Sequence, residues 1–166
     1  MRPAILLPVL AAMLASCVPL AAAEPPVKWR VVSVHYGDTL TALDADKVQH
    51  KVRLAGIDAP ETGQPFGTKA RDGLADLVKG KTVAVQVTDR DKYSRTVARI
   101  EVEGQDVNKA MVAAELAWHY VRFDHDATLA EAEREARAAR RGLWADAGPV
   151  PPWEWRATEK DRRRKR

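Results

Sequence analysis

The sequence predicts an α+β fold in which a small β-barrel carries helices on its outer surface. Five short segments rich in β-branched and aromatic residues are separated by turn signals, which is typical of small barrels and sandwiches. Three further segments place apolar residues at helical spacing, and one of them interrupts the run of strands. The chain has 166 residues, which is enough for one domain with a modest core.

The predicted strands are short and differ in how clearly they alternate. Residues 82–88 form the clearest strand, because Val83, Val85 and Val87 fall on one face. The other strands are predicted from their β-branched residues and bounding turns, at 27–34, 39–43, 49–54 and 96–102. Five strands are the number found in the oligonucleotide/oligosaccharide-binding (OB) fold, so we predict a five-stranded OB-fold β-barrel.

Three α-helices are expected to pack outside this barrel. Residues 68–79 carry one apolar face and stop before Gly80, which suits a left-handed cap. Asp106 is placed to cap a second helix that ends at Glu115. A third helix is predicted for residues 128–141, with a glycine directly after it. The folded domain is therefore expected to span residues 27–147.

The first 23 residues are expected to be an export signal. A basic residue is followed by an apolar stretch too short to span a membrane, and three alanines precede Glu24. A second interpretation is a bacterial lipoprotein signal, because residues 14–17 resemble a lipidation box that would leave Cys17 acylated. The protein is then either periplasmic or secreted, or lipid-anchored to the cell envelope. Cys17 is the only cysteine, so an internal disulfide is excluded.

The positive charge of the chain is concentrated at its C-terminus. The formal net charge is +4; residues 156–166 contribute +5 and Arg2 a further +1, so residues 24–155 carry −2. Residues 148–166 are expected to comprise a Pro/Trp segment that docks on the domain and a basic tail, disordered because it has little apolar surface to bury. The tail is either a solvated terminus or an arm that attracts phosphate.

Three short polar clusters, at residues 37–39, 53–61 and 91–95, indicate phosphate chemistry. They combine carboxylates suited to hold a cation or activate water with arginines, whose planar fork fits two phosphate oxygens. Hydrolysis of a phosphodiester needs this positive charge, because the transition state is anionic. The chain lacks the His and Cys spacing of a zinc site, and oxygen ligands favour calcium or magnesium.

Taken singly, several of these residues also have a structural explanation. Asp38 follows a glycine and suits a turn, Asp58 and Glu61 suit a solvated loop, and Arg95 suits the surface. Arg53 is different, because it lies between the apolar residues Val52 and Leu54 of its strand, where an unpaired charge is costly. We therefore expect Arg53 to have a buried partner or an anionic ligand.

In their order along the chain, these clusters resemble the staphylococcal-nuclease-like (thermonuclease) family. The resemblance runs from about Trp29 to Trp144. It rests on Gly37-Asp38-Thr39, Arg53-Leu54, Gly56-Ile57-Asp58-Ala59-Pro60-Glu61, Asp91-Lys92-Tyr93-Ser94-Arg95, Val107-Asn108, Leu116-Ala117-Trp118 and Gly142-Leu143-Trp144. It implies a five-stranded barrel with three helices and a calcium-dependent endonuclease of low sequence specificity. The implied substrates are single-stranded or frayed DNA and RNA; no protein partner is implied, and the chain is expected to be a monomer.

The resemblance also implies a role for each matching residue. Asp38 and Asp58 match two calcium-binding carboxylates, and the main-chain carbonyl of Ala59 matches a third ligand. Glu61 matches the carboxylate that orients or deprotonates the attacking water. Four further positions match residues that contact the substrate: Arg53 and Arg95 as clamps on the phosphate, and Lys92 and Tyr93 as contacts to the terminal phosphate and sugar.

Two positions depart from the family pattern. Tyr36 stands where an acidic residue is usual beside the metal site, which is expected to change calcium affinity. Glu115 replaces a usual glycine, at a cost of up to about 1 kcal/mol if the position is left-handed.

An alternative function is a non-catalytic OB-fold module that binds nucleic acid or an envelope partner. Retention of all five side chains of the hydrolytic set favours the enzyme.

Overall fold

Alternating apolar residues direct five long strands into one barrel. The computed structural model of the protein describes residues 26–165. Its strands are β1 (Val27–Tyr36), β2 (Thr39–Leu43), β3 (Gln49–Leu54), β4 (Ile57–Asp58), β5 (Thr82–Arg90), β6 (Thr96–Val102), β7 (Gln105–Asp106) and β8 (Trp118–His119). The five predicted strands correspond to β1, β2, β3, β5 and β6. Both β1 and β5 extend two residues beyond their predicted ends. The three two-residue strands were not predicted.

The barrel closes through a parallel pair. β1 runs antiparallel to both β2 and β5, β2 runs antiparallel to β3, and β5 runs antiparallel to β6. β3 and β6 then pair in parallel, with Arg53 opposite Val97. Alternate residues of these strands fill the interior and are buried, among them Val31, Leu40, Val52, Val83 and Ile100. The predicted α+β, five-stranded OB-fold barrel is confirmed.

Helices cover the outside of the barrel. They are α1 (Gly67–Val78), α2 (Val107–Ala113), α3 (Ala127–Ala139) and α4 (Pro152–Arg164). The first three match the three predicted helices. The predicted cap is also present, because the Asp106 side chain accepts a hydrogen bond from the Lys109 amide at 2.9 Å.

The fourth helix corrects the prediction for the C-terminal segment, because residues 156–164 are helical rather than disordered. α4 begins with Pro152, whose missing N–H costs nothing in the first helical turn. Its first turn is fixed to the domain: the Trp153 ring stacks parallel on Tyr120 with 4.9 Å between centroids. The preceding segment is fixed too, since Gln64 Nε2 donates to the Val150 carbonyl at 2.6 Å. The second half of α4 is exposed and basic.

The structure explains why Glu115 is tolerated where glycine is usual. Its φ is +60°, so the position is left-handed. The side chain is buried and accepts hydrogen bonds from the backbone amides of Arg141, at 2.9 Å, and Gly142. Burial acts to raise the pKa of the Glu115 carboxyl, but these amides outweigh it and hold the pKa below its ordinary value. The carboxylate thus ties the end of α2 to the segment after α3, which offsets the backbone cost.

The predictions for the leader, including acylation at Cys17, fall on residues 1–23 and lie outside the described residues. Between residues 26 and 165, no helix combines the length and the apolar character needed to cross a bilayer.

Candidate active site

The β1–β2 turn is pressed against α1, and this contact places Asp38. A Cβ at Gly37 would lie 2.6 Å from the Cβ of Ala70 and 2.8 Å from the Cβ of Ala59. Only glycine therefore allows the turn to come this close. The next residue, Asp38, is buried at the end of the barrel, and its Oδ1 accepts a hydrogen bond from the Thr39 hydroxyl at 2.8 Å.

The segment that carries Asp58 is held from two sides. The buried Asn108 side chain of α2 donates to the Ala55 carbonyl at 2.8 Å. On the other side, β4 pairs with β8, which sets Asp58 opposite Trp118, and the Tyr120 amide donates to the Gly56 carbonyl at 2.8 Å. Asp58 is 1% exposed. The position of this carboxylate is therefore fixed by the fold rather than by a mobile loop.

Arg53 brings the two aspartates together, and they are the buried partners that its place between Val52 and Leu54 predicted. Its Nη2 lies 3.2 Å from Asp38 Oδ2 and 2.9 Å from Asp58 Oδ1. Its Nη1 donates to the carbonyls of Leu54 and Ile57 at 2.6 and 2.7 Å. These contacts satisfy a guanidinium group that is only 14% exposed, and they fix its orientation.

The convergent oxygens fit a hard divalent cation. Asp38 and Asp58 share one guanidinium nitrogen, so their oxygens face the same small volume. Ala59 lies beside them, because its amide donates to Asp38 Oδ2 at 3.0 Å. Carboxylate and main-chain oxygens are the ligands that calcium prefers. No cluster of three or more His, Cys, Asp or Glu side chains arranged for a metal occurs in residues 26–165. The chain would thus supply two carboxylates and main-chain oxygen, with water completing the shell.

Glu61 lies at the edge of this group. The loop after it turns tightly back, since a Cβ at Gly67 would come within 1.9 Å of the Glu61 carbonyl oxygen. The Glu61 amide donates to Gln64 Oε1 at 3.1 Å. The Glu61 side chain is 33% exposed, so it is the member of the group that is most open to water.

A second arginine, which lies in the predicted basic tail, also enters the site. Arg156 of α4 grips Asp58 with both terminal nitrogens, at 2.7 Å to Oδ2 and 3.2 Å to Oδ1. Its Nη1 also donates to Glu61 Oε1 at 2.8 Å. Burial raises the pKa of the Asp58 carboxyl above its ordinary value, while Arg156 and Arg53 act in the opposite direction. The two arginines thus oppose the effect of burial on Asp58.

The remaining predicted residues form a separate group on the β5–β6 turn. Asp91 organises this turn by accepting hydrogen bonds from the backbone amides of Tyr93 and Arg95, both at 2.9 Å. The Arg95 side chain pairs with Asp91 at 2.6 Å rather than with the aspartates of the barrel end. Lys92 Nζ lies 5.1 Å from the centre of the Tyr93 ring, which is 69% exposed. The structure thus gathers Asp38, Arg53, Asp58, Ala59 and Glu61, and places Lys92, Tyr93 and Arg95 on a neighbouring turn.

A closed five-stranded barrel with buried carboxylates and arginines at one end defines an OB-fold domain of the nuclease type. Comparison with known proteins agrees: residues 51–146 match the family described as "Staphylococcal nuclease homologue". The chain is 44% identical over 131 residues to an uncharacterized endonuclease of Haemophilus influenzae, covering 79% of this chain and 74% of that protein. It is 44% identical over 128 residues to one of Escherichia coli, covering 76% and 83%. A staphylococcal-like nuclease of Arabidopsis thaliana is 46% identical over 110 residues, covering 66% and 34%. The chain belongs to the staphylococcal nuclease homologue family.

Proposed function

We propose that this protein is an exported, calcium-dependent endonuclease that hydrolyses phosphodiester bonds in DNA and RNA with low sequence specificity. The observation that carries the proposal is the convergence of Asp38, Arg53, Asp58 and Glu61 at one end of the barrel. Relatives that match most of the chain are named endonucleases. A monomer suffices, because every residue in the proposed roles comes from one chain.

The two aspartates and the main-chain carbonyl of Ala59 would hold the calcium. When bound, the ion supplies positive charge that polarises the phosphate and offsets the charge of the transition state. The two carboxylates are held by Arg53, by the Ala59 amide and by the paired strands β4 and β8. They are therefore in place before any ligand arrives, which is the preorganisation that catalysis needs.

Glu61 is proposed to orient the attacking water and to take its proton. Its partial exposure leaves room for water, and its loop is fixed by Gln64 and by the close approach of Gly67. The water oxygen attacks phosphorus in line with the leaving oxygen, and the P–O bond opposite breaks. The family resemblance implies that the phosphate stays on the 3′ side, so the leaving 5′ oxygen takes a proton from solvent and ends as a hydroxyl.

Arg53 and Arg95 are proposed to bind the phosphate oxygens during attack. Arg53 is already oriented by four acceptors, so little conformational entropy is lost when it exchanges a carboxylate oxygen for a phosphate oxygen. Arg95 must exchange Asp91 for a phosphate oxygen. The Arg95 and Asp91 side chains are 26% and 20% exposed, so the pair is only partly buried and lies within reach of a ligand at the surface.

Lys92 and Tyr93 are proposed to contact the terminal phosphate and sugar of a single-stranded or frayed substrate. Both lie on the turn that carries Arg95, and the Tyr93 ring is exposed for contact. The body of the protein is slightly acidic, so attraction of the substrate must come from these local cations and the metal. The leader sequence supports export, either to the periplasm or medium or to a lipid anchor at Cys17.

A cleavage and binding assay separates the enzyme from the alternative, a non-catalytic binding module. The purified protein is incubated with a labelled single-stranded DNA, in calcium or in a chelator, and cleavage and binding are measured in the same samples. The enzyme predicts fragments in calcium and none in the chelator. Binding without fragments at any calcium concentration would show that the protein is a binding module.

A further inference from the structure

Arg156 occupies the position where the candidate site requires a cation. Its guanidinium group contacts both carboxylate oxygens of Asp58, at 2.7 and 3.2 Å, and one oxygen of Glu61, at 2.8 Å. Asp58 Oδ1 is also bound by Arg53. Both oxygens of the proposed metal ligand are therefore engaged, and the proposed base is engaged as well.

The two arginines of this site are held very differently. Arg53 is anchored by two main-chain carbonyls within the barrel wall and is 14% exposed. Arg156 contacts only carboxylates there, belongs to the last helix and is 43% exposed. Arg53 is thus a permanent part of the site, while Arg156 can leave it by rotation of its own side chain.

Calcium and Arg156 have competing requirements. A divalent ion on Asp58 would take oxygens that Arg156 now uses, and two positive charges so close together repel each other. We propose that Arg156 is an autoinhibitory latch: when it is docked on Asp58 and Glu61, calcium cannot bind, and calcium binding releases it. This inference rests on the proposed calcium-dependent nuclease and adds a control on that same site.

Contacts between α4 and the domain hold Arg156 beside Asp58 and Glu61. Trp153, three residues earlier, stacks on Tyr120, and β8 is directly before Tyr120 and opposite Asp58. Gln64, from the loop that carries Glu61, donates to Val150. α4 is therefore attached to the same two segments that carry the carboxylates, so the docked arginine and its partners share one support.

The test is a calcium titration by calorimetry, without substrate, on wild type and Arg156→Gln. A latch that is docked in nine molecules of ten lowers the apparent affinity about 10-fold, so Arg156→Gln should bind calcium about 10-fold more tightly. Arg163→Gln is the matched control, because Arg163 is an exposed arginine on the same helix. It should leave the calcium affinity unchanged. Equal affinity in wild type and Arg156→Gln, or weaker binding in the variant, would overturn the latch.

Thermal unfolding gives a second readout that a purely structural role would not produce. Without calcium, Arg156→Gln should unfold at a lower temperature than wild type, because Asp58 loses a cation. Calcium should raise the melting temperature of the variant more than that of wild type, because stabilisation by a ligand grows with its affinity. An equal rise in both proteins would contradict the proposal.

Arg156→Lys keeps the test valid if the glutamine variant does not fold. Lysine retains the charge but cannot contact both oxygens of Asp58 and also Glu61, so the Arg156→Lys variant should bind calcium more tightly than wild type. A calcium affinity equal to that of wild type counts against the latch. The proposed function fails separately: wild type and variants would then show neither calcium binding nor cleavage. If wild type cuts DNA in the presence of calcium but binds calcium as tightly as Arg156→Gln does, the latch alone is refuted.

Discussion

Replacement of Glu115 by glutamine tests how the fold tolerates a left-handed residue that is not glycine. Glu115 is 1% exposed, has a φ of +60° and accepts hydrogen bonds from the backbone amides of Arg141 and Gly142. Glutamine has nearly the same shape but only one acceptor oxygen, and its own amide group would face an N–H donor. Glu115→Gln should therefore leave one buried amide without a partner.

The cost follows from that unpaired donor. A buried polar group that loses its partner costs about 1–3 kcal/mol, and the hydrogen bonds lost here are strengthened by charge. For a domain of this size, the melting temperature should fall by roughly 3–10 °C. The left-handed backbone is the same in both proteins, so it does not contribute to the difference. Urea unfolding at neutral pH measures this free energy directly, with Glu135→Gln, a change at an exposed glutamate of α3, as the control.

The stability difference between wild type and Glu115→Gln should also change with pH in a defined direction. The pKa of Glu115 is lower in the folded protein than in the unfolded chain, so its carboxylate stabilises the fold above the unfolded pKa of about 4.3. This stabilisation is lost as the pH falls through the folded pKa. The difference between wild type and Glu115→Gln should therefore be full at pH 7 and shrink in acid. Equal stability at pH 7, or a difference that does not change in acid, would refute this account of Glu115.

Three other changes follow from the structure. Gly37→Ala would put a Cβ 2.6 Å from the Cβ of Ala70 and should cost about 1–3 kcal/mol in urea unfolding, while Gly63→Ala, with open space around it, should cost far less. Tyr36→Asp restores the acidic residue that the family pattern has at this position and should tighten calcium binding roughly 10-fold by calorimetry; unchanged binding would show that this position does not act on the metal. Deletion of residues 160–166 removes basic residues from the exposed end of α4. It should flatten the salt dependence of single-stranded DNA binding by roughly 0.7 per lost phosphate contact, and an unchanged slope would show that the tail is only a solvated terminus.

The barrel could be predicted because the features that specify its strands lie within short stretches of the sequence. Alternation of valines and the turns between strands gave the five long strands, and apolar spacing with capping residues gave the first three helices. The pairing of Ile57 with His119 was not predictable in the same way. Strands of two residues carry no period, so they exist only because the rest of the fold brings the segments together.

The residues of the candidate site also differ in whether the sequence could predict their contacts. Arg53 was predicted to have a buried partner because a charge between two buried apolar residues needs one, and the structure supplies Asp38 and Asp58. Arg156 was missed, because its partner Asp58 lies 98 residues earlier and because it begins a run of mostly polar residues. The Pro and Trp residues just before it were the available signal. They indicated a docked segment, but not that the docked segment continues as a helix into the site.

Glu61 is proposed to activate water for phosphodiester hydrolysis, and the rate of the cleavage step alone measures this role. The measurement is single-turnover cleavage of single-stranded DNA at saturating calcium, for wild type and Glu61→Gln, with the exposed-site variant Glu135→Gln as the control. Loss of a general base lowers a rate by about 10²–10⁴-fold, so we expect a loss in that range for Glu61→Gln and none for the control. A Glu61→Gln rate equal to that of wild type would contradict the assignment of this site.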